Sequence, residues 1–297
     1  MLALIIGSEG NIGKPLVNYL KIRGYDVLEI DIHNGYREDY LVADINHPID
    51  LLPAFDKKPD VVFLLSAMVS RVVCEQASSL SVSTNLAGIN NVIQLCKRSN
   101  SKLIFFSTSE VYGPGCETMS ETEINLKPNN RYGLTKLLGE KLVEYEVDNY
   151  GLRAMVLRPF MIYDEYEEPG EHRSAMIRFV TKLVAGKPVE VHKNCERSWL
   201  HVSDAVRAIE QAVYIDKYMI INIGNDKIIS VESLARLICK ELNVSEDLIQ
   251  LIEQPKQMTK IKNPQLDRQR YILKVVPKVG IGEGIKQVCK VARERIK

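Results

Sequence analysis

LALIIGSEGNIG, residues 2–13, joins a short apolar run to three glycines spaced three residues apart, Gly7, Gly10 and Gly13. The run predicts a buried β-strand, and apolar residues at helical spacing over 12–23 predict a helix directly after the glycines. A further apolar run, DVLEI at 26–30, completes a βαβ unit. Glycines in this context permit a tight turn, close approach of the backbone to a pyrophosphate, and close packing of the helix on the strand. The stretch therefore predicts a dinucleotide site on a parallel sheet.

The same alternation of apolar runs and helical segments continues through the first half of the chain. Strands are predicted at 40–43, 60–65, 102–107 and 153–157, and helices over 78–97 and 131–149. Apolar strands without polar alternation indicate a parallel sheet covered by helices on both faces. The predicted fold class is α/β, a doubly wound parallel sheet (Rossmann-like) with a small interleaved C-terminal portion that binds substrate.

The alternation of apolar runs and helical segments is less regular after Pro159, and a charged stretch at 164–173 predicts a loop. A helix over 174–185, a short strand at 188–191, a strand at 218–224 and a helix over 231–242 are predicted beyond it. We expect residues 1–160 to form the cofactor-binding domain, with 187–225 completing its sheet. The substrate-binding portion is expected to comprise 161–186 and 226–297.

The composition is that of an ordinary globular protein. The 297 residues include 39 Lys plus Arg and 38 Asp plus Glu, a net charge of +1, and 45% are apolar. No overall field favours a nucleic acid or a membrane as partner. The six cysteines lie at least 20 residues apart and the histidines show no paired spacing, so no metal site is predicted. The first residues lack the features of a signal peptide, and we expect a cytoplasmic protein with reduced thiols.

Asp31 follows the second predicted strand, 18 residues after Gly13. An acidic side chain at this place can accept hydrogen bonds from the hydroxyls of an adenosine ribose, and it repels a 2′-phosphate. The sequence therefore predicts NAD rather than NADP as the cofactor.

Tyr132 and Lys136 form a Y-x-x-x-K pair, one turn apart on the helix predicted over 131–149. A tyrosine with a pKa near 10 is a weak base at neutral pH, and lowering that pKa to about 7 requires roughly 4 kcal/mol of selective stabilisation of the phenolate. A lysine ammonium and a cationic nicotinamide ring can supply it. STSEVYG at 107–113 lies at the carboxyl end of a predicted strand, where ligands of open α/β sheets bind.

Together these motifs resemble the extended short-chain dehydrogenase/reductases, in particular the NAD-dependent epimerase/dehydratase group that acts on nucleotide sugars. The resemblance covers essentially the whole chain. Its motifs are GSEGNIG at 7–13, STSEVYG at 107–113, RYGLTK at 131–136, LRPF at 157–160, RSWLHVSDAVRAI at 197–209 and NIGN at 222–225.

The resemblance implies a role for each matching residue. Tyr132 is the expected catalytic base, Lys136 its ribose-binding partner, and Thr108 the hydrogen-bonding companion of the same sugar oxygen. Glu110 is expected to be either a second acid/base or a loop carboxylate, and Cys116 a bystander thiol rather than a base. The residues expected to contact the substrate are Ser109, Arg197 and Lys262. Those expected to bind NAD are Gly7, Gly10, Asn11, Ile12, Gly13, Asp31, Asp44, Ile45, Leu65, Ser66, Ala67, Asn85, Tyr132 and Lys136.

Three functions remain open from the sequence. The leading hypothesis is a nucleotide-sugar epimerase that oxidises a sugar hydroxyl at C4 and reduces the ketone again. A decarboxylase or 4,6-dehydratase using Glu110 is the alternative, although Ser109 stands where the dehydratases have Asp. A non-catalytic dinucleotide-binding regulator is the third, because Met161 replaces an Asn that commonly touches the substrate diphosphate. A homodimer is expected through apolar faces of the helices 78–97 and 131–149.

Overall fold

A parallel sheet of seven strands forms the centre of the computed structural model, which describes residues 1–115, 117–170, 173–255 and 258–296. The strands in chain order are β1 (Leu2–Ile6), β2 (Asp26–Asp31), β3 (Tyr40–Val42), β4 (Val61–Leu64), β5 (Lys102–Phe106), β6 (Ala154–Pro159), β7 (Met161–Tyr163), β8 (Val189–His192), β9 (Glu196–His201), β10 (Ile220–Ile223), β11 (Ile228–Ser230), β12 (Ile249–Ile252) and β13 (Ile261–Lys262). The main sheet has the order β10-β6-β5-β4-β1-β2-β3, and every neighbouring pair in it is parallel. The predicted α/β Rossmann-like class is confirmed.

Helices cover both faces of this sheet. The α-helices of the described residues are, in chain order, α1 (Gly13–Ile22), α2 (Pro48–Asp56), α3 (Arg71–Gln76), α4 (Ser78–Val82), α5 (Ile89–Ser99), α6 (Arg131–Tyr150), α7 (Ala175–Val184), α8 (Val202–Ala212), α9 (Val231–Leu242), α10 (Asp267–Tyr271) and α11 (Ile281–Ile296). One hydrophobic core packs α1 and α8 against the sheet, and a second packs α2, α5 and α6 against its other face. Because both faces are covered, the strands are mostly apolar rather than alternating in polarity.

The two smaller sheets lie outside the main one. β9 pairs with β11, β13 and β7, while β8 pairs only with β12 among the described residues. Within the segment 187–225, expected to complete the main sheet, only β10 does so, by pairing with β6. A third core joins α7, α9 and α11 beneath these sheets. The predicted division of the chain into two portions stays a prediction.

The helix predicted over 78–97 is interrupted. It consists of α4, a π-helical segment at Ser83–Gly88, and α5. Within the π segment the buried Asn85 side chain bonds both the N–H and the carbonyl of Met68, and it also donates to Thr135 Oγ1 over 3.1 Å. The local widening of the helix places this amide between the loop after β4 and helix α6, a use typical of π-bulges near functional sites. No helix of the described ranges is long and apolar enough to cross a membrane.

Candidate active site

The glycine loop between β1 and α1 leaves no room for side chains at two positions. Gly7 has φ of +94°, and a Cβ there would lie 2.7 Å from the backbone nitrogen of Ser66. A Cβ on Gly13 would lie 2.1 Å from the carbonyl oxygen of Gly7. Ser66, just after β4, has a buried hydroxyl with no hydrogen-bond partner among the described residues. A tight loop at a helix N-terminus, with an unused hydroxyl beside it, fits the pyrophosphate of a dinucleotide.

Asp31 lies at the carboxyl end of β2, beside this loop, and is 8% exposed. Its Oδ2 accepts from the backbone N–H of Glu9 at 2.9 Å, and its Oδ1 from that of His33 at 3.1 Å. The ring nitrogen Nδ1 of His33 lies 2.7 Å from the same Oδ1. These bonds hold the carboxylate in one orientation while Oδ2, with one bond from Glu9, retains acceptor capacity for a ribose hydroxyl.

The other residues expected at the cofactor lie around the same sheet edge. Asp44 accepts from the backbone N–H of Asn46, and Ile45 is buried against Gly88. The remaining members are half-buried next to the glycine loop or β4, namely Asn11, Ile12, Leu65 and Ala67. Contact of these residues with NAD stays a prediction.

Helix α6 brings Tyr132 next to Thr108. Asn130 caps the helix by accepting from the N–H of Gly133, and Gly133 packs so closely on the turn at Ser109–Tyr112 that a Cβ would lie 2.8 Å from Glu110 O. Burial raises the pKa of Tyr132 above its ordinary value, and a side-chain hydrogen bond with Thr108 opposes that effect. Tyr132 is therefore a neutral phenol until a further positive charge arrives beside it.

Lys136, one turn after Tyr132, is 1% exposed. Its Nζ donates to the carbonyl oxygen of Phe106 at 2.7 Å and lies 5.0 Å from the ring centroid of Phe105. Burial lowers the pKa of Lys136 to about 7, against smaller opposing effects of Cys74 and Glu140. Among the described residues the Lys136 ammonium donates to one backbone carbonyl, so it retains N–H donors for a ligand hydroxyl.

Glu110 lies behind Thr108 in a cluster of cationic and amide groups. Its Oε1 is 2.7 Å from Lys262 Nζ and 3.7 Å from Arg71 Nε, and its Oε2 accepts from Asn130 Nδ2 at 3.1 Å. Burial alone would raise the pKa of Glu110, but the charges of Lys262 and Arg71 outweigh it and bring the pKa to about 2. Glu110 is therefore ionised throughout the physiological range.

Sequence reasoning missed Arg71 and Asn130 in this cluster. Asn130 precedes a helical run and matches the pattern of an N-cap, so that signal was present in the sequence. No sequence motif marks Arg71, because only the folding of the chain brings its side chain close to Glu110. Cys116 lies outside the described residues.

The three expected substrate contacts lie near Glu110. Lys262 Nζ is 3.4 Å from Ser109 Oγ, and burial lowers the pKa of Lys262 to about 8. Arg197 is 5% exposed and donates to the backbone carbonyls of Thr259 and Lys260, at 2.8 and 2.6 Å. Those bonds attach β9 to the segment carrying β13, so Arg197 holds Lys262 in place. Direct contact of these residues with a substrate stays a prediction.

Comparison with known proteins assigns the chain to a family. A sequence model described as the NAD dependent epimerase/dehydratase family matches residues 3–224. The chain belongs to the NAD-dependent epimerase/dehydratase family. Its cofactor is NAD, and the glycine loop, Ser66 and Asp31 fit that dinucleotide.

Relatives of the chain within the family differ in activity. A UDP-N-acetyl-alpha-D-glucosaminuronate decarboxylase of Bacillus cytotoxicus is 28% identical over 98% of this chain and 97% of its own. The crystal structure of a UDP-glucose 4-epimerase of Thermotoga maritima with UDP-glucose superposes with a TM-score of 0.93 at 24% identity, covering both chains fully. A Thermus thermophilus UDP-glucose 4-epimerase complexed with NAD gives 0.89 at 23% identity, over 99% of each chain. At these identities the two structures establish the shared fold alone.

Proposed function

We propose that the protein is an NAD-dependent nucleotide-sugar epimerase acting at C4 of the sugar. When bound, NAD supplies reversible acceptance of hydride from the sugar carbon. The observation that supports the proposal is the placement of Thr108, Tyr132 and Lys136 together at the carboxyl ends of the strands, beside a carboxylate, Glu110, that stays ionised.

Each of the three residues has a distinct task in this proposal. Tyr132 Oη removes the proton of the C4 hydroxyl during oxidation and returns one to the oxygen during reduction. Lys136 stabilises the phenolate with its ammonium charge and binds the nicotinamide ribose. Thr108, hydrogen-bonded to Tyr132, orients the same sugar oxygen. Because burial raises the pKa of the phenol, Tyr132 would act as a base only with positive charge beside it, and bound oxidised NAD would supply such a charge.

The ionised state of Glu110 favours epimerisation over dehydration. Loss of water from a sugar requires an acid that protonates the departing hydroxyl. A carboxyl with a pKa of about 2, bonded to Lys262 and Asn130, has no proton to give at neutral pH. Epimerisation at C4 needs no second acid, only rotation of the ketone and return of hydride to the opposite face.

A uronate decarboxylase is the second candidate, supported by the cations around Glu110. Lys262 and Arg71 can hold the carboxylate of a uronic acid next to C4. Once C4 is a ketone, the bond between C5 and the carboxylate carbon breaks, carbon dioxide leaves, and the electron pair passes into the enolate. Protonation at C5 followed by return of hydride to C4 completes that reaction. The similarity to the decarboxylase of Bacillus cytotoxicus supports this candidate as well.

Product analysis tests both candidates. The purified protein with NAD is incubated with UDP-, GDP-, CDP- and dTDP-sugars, including uronic acids, and products are resolved by mass and by NMR coupling constants. An epimer keeps the mass of the substrate, whereas a decarboxylase product lacks the mass of carbon dioxide and a dehydratase product that of water. No product from any sugar would sink the proposal and favour a non-catalytic role.

Matched variants then separate catalysis from folding. Tyr132→Phe is expected to abolish turnover while NAD remains bound, because only the proton-transferring oxygen is removed. Tyr145→Phe, an exposed tyrosine on the same helix, is the control and retains activity. Glu110→Gln damages a decarboxylase far more than an epimerase.

We also propose that the protein forms a homodimer. Leu80 on α4 and Leu134 and Leu138 on α6 are 54, 44 and 42% exposed, a concentration of large apolar side chains on adjacent helices. Burying such side chains between two copies removes apolar surface from water.

A further inference from the structure

A network of charges surrounds Asp31 on the side of the glycine loop. Glu9 connects Asp31 to Arg37. Its backbone N–H donates to Asp31 Oδ2 at 2.9 Å, and its carboxylate accepts from Arg37. The other oxygen of Glu9 lies 3.1 Å from Lys14 Nζ. This chain of contacts from the Arg37 guanidinium to Asp31, the carboxylate expected at the adenosine ribose, therefore passes through a single residue, Glu9.

Arg37 is fixed from three sides. Its Nη2 bonds both Glu9 Oε1 and Glu29 Oε2, the latter at 2.8 Å, and the guanidinium carbon lies 4.7 Å from the centroid of the Tyr40 ring. Glu29 is 2% exposed and also bonds Lys21 at 2.8 Å. Burial would raise the pKa of Glu9, but its bonds to Arg37 and Lys14 lower it below the usual range. Glu9 is thus ionised, and together with the buried Glu29 it holds the Arg37 guanidinium between two carboxyl groups.

We propose that Glu9 and Glu29 sequester Arg37 and thereby act, with Asp31, as the determinants that exclude NADP. A 2′-phosphate placed at Asp31 meets two carboxylates, Asp31 and Glu9. The guanidinium that could bind the phosphate bidentately is already neutralised by Glu9 and Glu29. Two effects therefore exclude the phosphate. Asp31 and Glu9 repel it, and Arg37, whose charge could offset that repulsion, is already paired with Glu9 and Glu29.

The arrangement makes the effects of substitution non-additive. Removing the charge of Asp31 alone relieves one repulsion but leaves Arg37 bonded to Glu9. Removing the charge of Glu9 as well frees Arg37 on the side of the loop, where a phosphate can replace the lost carboxylate. Residues that share a partner in this way are coupled, so the double substitution is expected to exceed the sum of the single ones.

Dissociation constants of NADH and NADPH test the proposal, measured without sugar substrate by the fluorescence of the bound dihydronicotinamide. The proteins are the wild type, Asp31→Asn, Glu9→Gln and the double variant. We expect the ratio of NADPH to NADH affinity to rise at least about tenfold more in the double variant than in Asp31→Asn, a step typical of one charge-assisted hydrogen bond. Adding Arg37→Met to the double variant is expected to remove that gain.

The controls decide between a specific and a general charge effect. Glu38→Gln removes an exposed carboxylate next to Arg37 that makes no ion pair among the described residues, and it is expected to leave the ratio unchanged. An unchanged ratio in the double variant, a gain that survives Arg37→Met, or an equal gain from Glu38→Gln would each overturn the proposal. If the double variant binds neither dinucleotide, Glu9→Gln alone decides, and an unaltered ratio in it overturns the proposal too. Because no sugar takes part, the outcome is independent of the proposed reaction.

Discussion

Arg158→Met is expected to destabilise the protein strongly, because it leaves a buried carboxylate without its cation. Arg158 on β6 donates to Glu140 on α6 through Nε at 2.9 Å and Nη2 at 2.7 Å, and both side chains are 2% exposed. Ser107 also donates to Glu140. Removing one partner of a buried ion pair costs about 3–5 kcal/mol. At about 2 °C per kcal/mol for a chain of this size, the melting temperature falls by about 6–10 °C.

The double variant Arg158→Met with Glu140→Leu is expected to recover most of that loss. A buried pair replaced by apolar groups of similar volume is often neutral in stability, and only the bond from Ser107 is then missing, worth about 1 kcal/mol. The expected coupling between the two substitutions is therefore at least about 2 kcal/mol.

Urea denaturation followed by far-ultraviolet circular dichroism measures these free energies of unfolding. Arg153→Met, an exposed arginine at the start of β6, is the matched control and is expected to cost under about 1 kcal/mol. A loss below about 1 kcal/mol in Arg158→Met, or a double variant whose loss equals the sum of the single losses, would refute the reasoning.

Three further predictions concern the cofactor loop, the active-site lysine and the helical face. Gly13→Ala is expected to abolish NADH binding and lower the melting temperature, whereas Gly280→Ala, with no atom of the described ranges within 4 Å of the new Cβ, leaves both nearly unchanged; equal effects in binding titrations would contradict this. Burial lowers the pKa of Lys136 from 10.5 to about 7, so the folded state binds fewer protons than the unfolded one between those values and gains stability as pH rises. Lys136→Met is therefore expected to stabilise the cofactor-free protein more at pH 6 than at pH 9 in urea titrations, and the opposite order would refute it. Leu138→Asp is expected to convert a dimer to a monomer in analytical ultracentrifugation, while Ile22→Asp, an exposed apolar residue on α1, does not; a wild type that is monomeric would disprove the proposed dimer.

Local pattern predicted the central strands of the main sheet because they are buried on both faces. LALII at 2–6 and VVFLL at 61–65 are continuous apolar runs, and they contain β1 and β4. The place of β8 could not be read in the same way, since its partner β12 lies about sixty residues further along the chain and pairing at that range leaves no local trace. Helix α2 was missed because it contains Pro48 and Pro53, which disfavour a helix in a sequence pattern.

The catalytic set and the charges around it differ in how far they can be predicted. Tyr132 and Lys136 were found because helical spacing alone places them on one face. The ionised state of Glu110 depends on Lys262, which is 152 positions away, and on Arg71, which no motif marks. The sequence therefore predicts which groups are present, while the protonation state that distinguishes the possible reactions follows from long-range contacts.

The chain returns to the main sheet at β10, and this topology affects both folding during synthesis and the design of fragments. The polypeptide leaves that sheet after β6 and re-enters it at Ile220, so during synthesis the edge of β6 stays unpaired until the intervening segment has emerged. A fragment ending at residue 160 exposes the same edge permanently and is prone to associate with other copies. The cofactor half of the molecule therefore cannot be excised as an independent unit, and a split-protein or domain-exchange design has to keep 220–223 with the N-terminal part.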